Sequence, residues 1–176
     1  MLPVCRFFYD KSSNVLWCLV PKAGSTTYTA AFARLADSQR AKLDQSAGKR
    51  AKLKRYFHFD SHNMARVLAR RPFLFAVSRH PYERLVSAFI DHSDEKTKGG
   101  TPVRGSFEDF LTKVVLKQAE SCSRKSGNCS VNRHWDSLDN LCSFCALNYT
   151  VVSSMDTFAE DFTHITARLG LEPQAK

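Results

Sequence analysis

The sequence contains no long apolar run, no internal repeat and no low-complexity tract. A membrane-spanning helix needs about 20 consecutive apolar residues, and no stretch of this chain is that long. A secretory signal peptide is not evident either, because Arg6 interrupts the short apolar stretch near the first residue. We therefore expect either a cytosolic protein or a chain from which a targeting segment is missing.

Acidic side chains are the scarcer of the two charged classes. The 176 residues include 26 Lys and Arg against 17 Asp and Glu, which gives a formal net charge of +9. Such an excess indicates an anionic partner, and nucleic acid, an anionic glycan and a phosphorylated cofactor each qualify. Hydrophobic residues make up 43% of the chain and Phe occurs 13 times, so residues 1–176 are expected to form one globular domain.

The cysteines and the glycosylation sequons point to an oxidising compartment. Sequons begin at Asn128 and Asn148, close to four of the six cysteines. An even number of cysteines beside sequons favours disulfides and the secretory pathway. The alternative is a zinc cluster, which would use the four cysteines of this region: Cys122, Cys129, Cys142 and Cys145.

Apolar and amphipathic segments alternate along the chain, which predicts an α/β domain with a mainly parallel sheet. Four strands are predicted, at residues 4–9, 15–20, 72–77 and 149–154. A helix is predicted to follow each of the last three. A hairpin between the first two strands would place Cys5 opposite Leu19. Cys18 would then point to the other face, and we expect it to be a buried free thiol.

The segment "PKAGSTT", residues 21–27, follows a predicted buried strand and precedes a predicted helix. Main-chain N–H groups at a helix N-terminus bind anions, and Lys22 adds a cation beside them. The pattern of nucleoside triphosphatases is absent, because the lysine precedes Gly24, and no magnesium-binding Asp stands out. The segment therefore predicts a phosphate site and disfavours a metal-dependent triphosphatase.

A second strand-to-helix junction lies in "SRHPYERLVSAF", residues 78–89. Arg79 is predicted at the end of the strand and Ser87 within the helix. Ligands of open α/β sheets bind outside the carboxyl ends of the strands, and an arginine fork suits a phosphate dianion. Arg79 and Lys22 are therefore expected to contact two separate phosphates of one ligand.

The helix that follows Arg79 is predicted to bury one apolar stripe. Its members share helical spacing: Tyr82, Leu85, Val86 and Phe89. Glu83 and Arg84 are interpreted as a structural pair on the helix surface.

These two segments, together with "NRHWDSLDNLCSFCALNYTVVSSMDTFAEDF" (residues 132–162), resemble the signature of the Golgi carbohydrate sulfotransferases. The third segment is similar to the branch of the chondroitin and dermatan 4-O-sulfotransferases and the natural-killer-epitope sulfotransferase. The resemblance runs from about Val15 to Leu171. It implies a P-loop-like three-layer fold, in which helices flank a central, mainly parallel sheet. It also implies a Golgi lumenal, type II membrane protein, whose anchor and stem are absent from this sequence.

The resemblance implies 3′-phosphoadenosine 5′-phosphosulfate as the sulfonate donor and no metal. Arg79 and Ser87 would hold its 3′-phosphate. The 5′-phosphosulfate would be held by Pro21, Lys22, Ala23, Gly24, Ser25, Thr26 and Thr27. Lys22 would also neutralise charge that develops on the leaving phosphate. A base must take the proton of the acceptor hydroxyl, and the candidates are His58 and His134, with His62 or an acidic residue still open.

The resemblance implies an anionic glycan acceptor, with the 4-hydroxyl of N-acetylgalactosamine in chondroitin or dermatan as the favoured target. A terminal glucuronic acid is a second possibility, and no nucleic-acid partner is expected. Two other functions compete with this one. A relative of P-loop kinases would need a magnesium-binding carboxylate, and a non-catalytic module for anionic glycan or nucleic acid would bind with a steep salt dependence that does not involve Lys22.

Overall fold

The computed structural model describes residues 7–39, 48–49, 57, 63–93, 105–123 and 131–171. Its contacts divide the chain into two compact units. The first unit comprises Met1–Ser78 and Leu138–Lys176, and the second comprises Arg79–Ser137. Each unit is considered by itself.

The first unit is built on a four-stranded sheet with the order β1-β2-β3-β4. The strands are β1 (Phe7–Asp10), β2 (Val15–Cys18), β3 (Phe73–Ser78) and β4 (Val151–Ser154). Strand β1 is antiparallel to β2, whereas β2 and β3, and β3 and β4, are parallel. All four residues of β2 are buried, as the apolar run in the sequence predicts. The predicted mainly parallel sheet is confirmed.

The helices of both units follow in chain order. They are α1 (Ser25–Gln39), α2 (Met64–Ala69), α3 (Pro81–Ser93), α4 (Phe107–Phe110), a π-helical stretch (Leu111–Leu116), α5 (Lys117–Ser123), α6 (Leu138–Cys142) and α7 (Phe158–Arg168). A capping box is present at α4, where Ser106 and Asp109 bond each other's main-chain N–H. In the part of the chain that the structure describes, no helix has the length and apolar character needed to cross a membrane.

Helices cover both faces of the sheet in the first unit. Trp17 of β2 stacks on Phe32 of α1, and Phe73 of β3 contacts His164 of α7, so these two helices share a face. The next residue along β2 is Cys18, which points to the opposite face and is bonded to Cys142 of α6. The layers are therefore helix, sheet and helix, as the family resemblance implies.

The hairpin register differs by one residue from the expected one. Phe7 pairs with Cys18, because Asp10 belongs to β1 and pairs with Val15. The Asp10 carboxylate accepts hydrogen bonds from the Ser13 main chain at 2.8 Å and from the Ser12 hydroxyl at 2.7 Å, which fixes the tight turn. Cys5 lies outside the described residues.

Candidate functional site

The turn between β2 and α1, residues 21–27, has the backbone of an anion-binding site. Lys22 and Gly24 adopt left-handed φ angles of 65° and 66°. The Gly24 carbonyl accepts hydrogen bonds from the N–H groups of Thr27 at 3.0 Å and Tyr28 at 3.3 Å. Ser25 and Thr26 precede Thr27, the first residue whose N–H donates to a carbonyl of this turn. Their N–H groups therefore have no acceptor within the helix. Such N–H groups attract anions, and the helix dipole adds to the effect.

The polar residues of this turn lie nearer the surface than the apolar ones. Pro21 and Ala23 are buried, whereas Thr26 and Thr27 are exposed. Three residues have intermediate exposure: Lys22, Gly24 and Ser25. The apolar side chains thus anchor the turn in the core, and the hydroxyl groups of the first helical turn remain accessible to a ligand.

Gly24 is required at this turn by space as well as by φ. A Cβ atom at position 24 would overlap Cε2 of Phe158 and lie 3.0 Å from its Cζ. Phe158 has little room to move, because its ring stacks on Phe162 and meets Tyr28 edge-on. Phe158, which belongs to the third sequence segment (residues 132–162), therefore contacts the turn of residues 21–27.

A carboxylate fixes the start of α7, the helix that carries Phe158. The Asp161 carboxylate accepts hydrogen bonds from the hydroxyl groups of Thr157 at 2.6 Å and Ser153 at 2.7 Å. These bonds, Thr157 first, hold the pKa of Asp161 below its ordinary value.

Tyr28 carries a buried polar atom directly behind the turn. Its side chain is fully buried, and its hydroxyl has no hydrogen-bond partner among the described residues. Burial, with a smaller contribution from the charge of Asp161, raises the pKa of Tyr28 well above its ordinary value. The phenol is therefore neutral at any physiological pH.

A disulfide ties the strand before the turn to α6. Cys18, the last residue of β2, is bonded to Cys142 with a Cα–Cα distance of 5.9 Å. The expectation of a free thiol at Cys18 was wrong, because the face to which Cys18 points is covered by α6. Cys122 is also disulfide-bonded, so the zinc cluster is wrong as well, and the described residues contain no group of potential metal ligands. Cys145 is an exposed free thiol, and its hydrogen bond to Asp139 raises its pKa.

In the second unit, Arg79 is paired with Glu83. Its Nε donates to Glu83 Oε2 at 3.0 Å, which restricts the orientation of the guanidinium fork. The expected surface pair of Glu83 with Arg84 was wrong, because Arg84 is buried and its Nη2 donates to the main-chain carbonyl of Asp136 at 3.1 Å. Ser87 lies on α3 with intermediate exposure.

The predicted apolar stripe of α3 is also partly wrong. Tyr82 is 73% exposed and Val86 43% exposed, while Ala88 is fully buried beside the face of Arg84. Leu85 and Phe89 have intermediate exposure.

Of the histidines considered as bases, only His134 lies within the described residues. Its Nδ1 lies 2.9 Å from Nε2 of His92 on α3. His58 and His62 fall outside the described residues. Sequence reasoning missed His92, although its spacing of four residues from Ala88 and eight from Arg84 marks one face of a helix.

Comparison with known proteins places this geometry in a family. The model of the sulfotransferase family matches residues 5–176. Mouse carbohydrate sulfotransferase 8 is 27% identical over 177 residues, covering 90% of this chain and 42% of the relative. Human carbohydrate sulfotransferase 9 is 24% identical over 196 residues, covering 98% of this chain and 43% of the relative. Mouse carbohydrate sulfotransferase 10 is 25% identical over 192 residues, covering 95% of this chain and 53% of the relative.

The chain thus spans about half the length of the curated relatives that it matches. No solved structure was found to match it. The resemblance inferred from the sequence is confirmed by the match over residues 5–176, and the chain belongs to the sulfotransferase family.

Proposed function

We propose that this chain is the catalytic core of a carbohydrate sulfotransferase, which transfers a sulfonate group from 3′-phosphoadenosine 5′-phosphosulfate to a sugar hydroxyl. The observation that carries the proposal is the turn of residues 21–27. It combines left-handed Lys22 and Gly24 with the N-terminus of α1, at the carboxyl end of a buried parallel strand. Membership of the sulfotransferase family supports the same chemistry.

The donor is proposed to bind through two elements. The N–H groups and hydroxyls of residues 21–27 hold the 5′-phosphosulfate, with Lys22 as the counter-charge. Arg79 and Ser87 hold the 3′-phosphate, and Glu83 orients the guanidinium of Arg79 through its Nε. The proposed site uses these side chains and N–H groups and no metal.

The proposed reaction is a direct in-line displacement. The acceptor oxygen forms a bond to sulfur, while the bond between sulfur and the bridging phosphate oxygen breaks. The electron pair of that bond leaves with 3′-phosphoadenosine 5′-phosphate, and Lys22 stabilises the charge that develops on the leaving oxygen. The proton of the acceptor hydroxyl passes to a base, for which His134 and His58 are the candidates.

The acceptor is proposed to be an anionic glycan. The relatives are named carbohydrate sulfotransferases, and the net charge of +9 suits an anionic substrate. The 4-hydroxyl of N-acetylgalactosamine in chondroitin or dermatan is the favoured target, and a terminal glucuronic acid is the second.

The compartment is proposed to be the Golgi lumen, with the complete protein held there by an N-terminal membrane anchor. The disulfide between Cys18 and Cys142 supports an oxidising compartment. Asn148 is exposed in the loop before β4, which makes its sequon accessible to a glycan.

The test is a calorimetric titration with 3′-phosphoadenosine 5′-phosphate in magnesium-free buffer. The wild type should bind, and Arg79→Ala should weaken binding roughly tenfold or more, since a charged hydrogen bond contributes about 1.5–3 kcal/mol. Lys22→Ala should also abolish turnover. Arg66→Ala is the matched control, because it removes the same charge from an exposed position on α2.

The Arg66→Ala control distinguishes the proposed enzyme from a non-catalytic module that binds anions through net charge alone. If Arg66→Ala weakens binding as much as Arg79→Ala does, the ligand senses only net charge and the proposed 3′-phosphate site is refuted. If the folded wild type does not bind the nucleotide at all, the proposed donor is wrong.

A further inference from the structure

His92 and His134 form a close ring pair within the second unit. Nε2 of His92 and Nδ1 of His134 are 2.9 Å apart, and the ring planes meet at 65°. At that distance the two nitrogens share one hydrogen bond, so one of them carries the hydrogen and the other offers a lone pair. The bond therefore couples the tautomers of the two rings: a hydrogen on Nδ1 of His134 requires a lone pair on Nε2 of His92, and the reverse.

The segment that carries His134 is held from one side by Gln118. The Gln118 Oε1 accepts hydrogen bonds from Trp135 Nε1 at 2.9 Å and from the Asn132 main chain at 3.1 Å. The side chain of Asn132 in turn accepts from the main-chain N–H of His134 at 3.0 Å. The main chain on both sides of the imidazole is thus fixed independently of His92.

Helix α3 holds the same segment from another side. Arg84 donates to the carbonyl of Asp136, and His92 lies on the same face of the helix, two turns later. Between them Ala88 is fully buried, and the ring of Trp135 meets that of His92 with centroids 5.7 Å apart. With its main chain fixed, the His134 ring can still rotate and change tautomer, and the hydrogen bond to His92 opposes both changes.

We propose that His92 is a positioning residue, which accepts the Nδ1–H of His134 and so leaves the lone pair of His134 on Nε2. The proposal rests on the proposed function, since it assigns the base of that reaction to His134. In the opposite tautomer Nε2 carries hydrogen and cannot accept a proton.

The proposed tautomer also suits the transfer step. Nε2 of His134 takes the proton of the acceptor hydroxyl as its oxygen bonds to sulfur, and 3′-phosphoadenosine 5′-phosphate leaves with the electron pair of the broken bond. The imidazolium that results donates its Nδ1–H to neutral His92. This hydrogen bond becomes charge-assisted as the proton arrives, so it is stronger in the transition state than in the ground state.

The experiment is long-range ¹H–¹⁵N NMR of the protein with ¹⁵N-labelled histidine at about pH 8.5, where ordinary histidines are neutral. His134→Gln identifies the signals by their loss. The expected spectrum has a protonated Nδ1 and a lone-pair Nε2 on His134. His92→Gln should preserve this pattern, because an amide oxygen can accept the same hydrogen bond.

His92→Leu removes the acceptor, and the tautomer preference of His134 should fall roughly fivefold, the effect of one neutral hydrogen bond. A protonated Nε2 on wild-type His134, or a preference unchanged in both variants, would overturn the role of His92. If His92→Leu does not fold, the wild-type spectrum still decides, because a protonated Nε2 on His134 would overturn the proposal. The nucleotide titration tests the proposed function separately, since binding does not depend on the tautomer.

Discussion

Replacing Gly24 with alanine should disable the β2–α1 turn through the ring of Phe158. The left-handed φ of 66° costs an alanine about 1–2 kcal/mol. The overlap of its Cβ with Phe158 adds an overpacking cost of about 1–3 kcal/mol, because that ring is fixed between two aromatic neighbours. A smaller entropy of the unfolded chain offsets up to about 1 kcal/mol. The net loss of unfolding free energy should be about 2–4 kcal/mol.

Gly170→Ala is the matched control for the backbone term. Its φ is 68°, almost that of Gly24, but an added Cβ would meet no atom of the described residues within 4 Å. This variant should lose only about 1 kcal/mol, the cost of φ less the entropy gain. The difference between the two variants, measured by urea unfolding, isolates the overlap with Phe158.

Phe158→Leu in the Gly24→Ala background provides the decisive comparison. Leucine is smaller than the ring, so the double variant should recover about 1–3 kcal/mol relative to the sum of the single changes. Nucleotide affinity should fall in Gly24→Ala and recover in part with Phe158→Leu. The reasoning is refuted if Gly24→Ala costs no more than Gly170→Ala and the two changes at 24 and 158 are additive.

Three further outcomes are expected. Tyr28→Phe should leave stability unchanged or raise it by about 1 kcal/mol in thermal unfolding, because the buried hydroxyl has no partner among the described residues. A loss of nucleotide affinity would show that the hydroxyl contacts the ligand instead. Asp161→Asn should flatten the pH dependence of the unfolding free energy: the folded-state pKa of Asp161 is lowered, so its contribution is present above about pH 4 and disappears as pH falls further, and acid titration curves that coincide for variant and wild type would contradict this. Replacing both Cys18 and Cys142 with alanine should cost roughly 2–4 kcal/mol in urea, since their disulfide closes a span of 124 residues; reducing agent should then affect the wild type more than the variant.

The strand, turn and helix around residues 21–27 were predictable because they are local. A buried strand, a lysine, a glycine and a run of hydroxyl residues follow one another in the sequence, and each has its effect within a few residues. The structure also shows why position 24 must be glycine: a Cβ there would overlap the ring of Phe158. This reason cannot be read from the sequence. Phe158 lies far along the chain, and only the parallel pairing of β3 with β4 shows that α7 reaches the turn.

Cys18 was misjudged for a similar reason. Side chains alternate along β2, so that of Cys18 points away from the face of Trp17. The sequence could not predict what covers that opposite face, because α6 is short and begins at Leu138. A disulfide depends on which elements become neighbours, and composition shows only that disulfides are favoured.

Helix α3 was misjudged because polarity was taken as a measure of exposure. Arg84 is buried and His92 is partly buried. Burial is possible because each side chain has a hydrogen-bond partner, the Asp136 carbonyl for Arg84 and His134 for His92. Tyr82 and Ile90, both apolar in a hydropathy pattern, are 73% and 61% exposed. This face of α3 packs against a main-chain carbonyl and a second imidazole, so it carries hydrogen-bonding side chains. An analysis of hydrophobic periodicity does not detect such a face. For that reason the residues that hold the His134 segment had to be found from the structure.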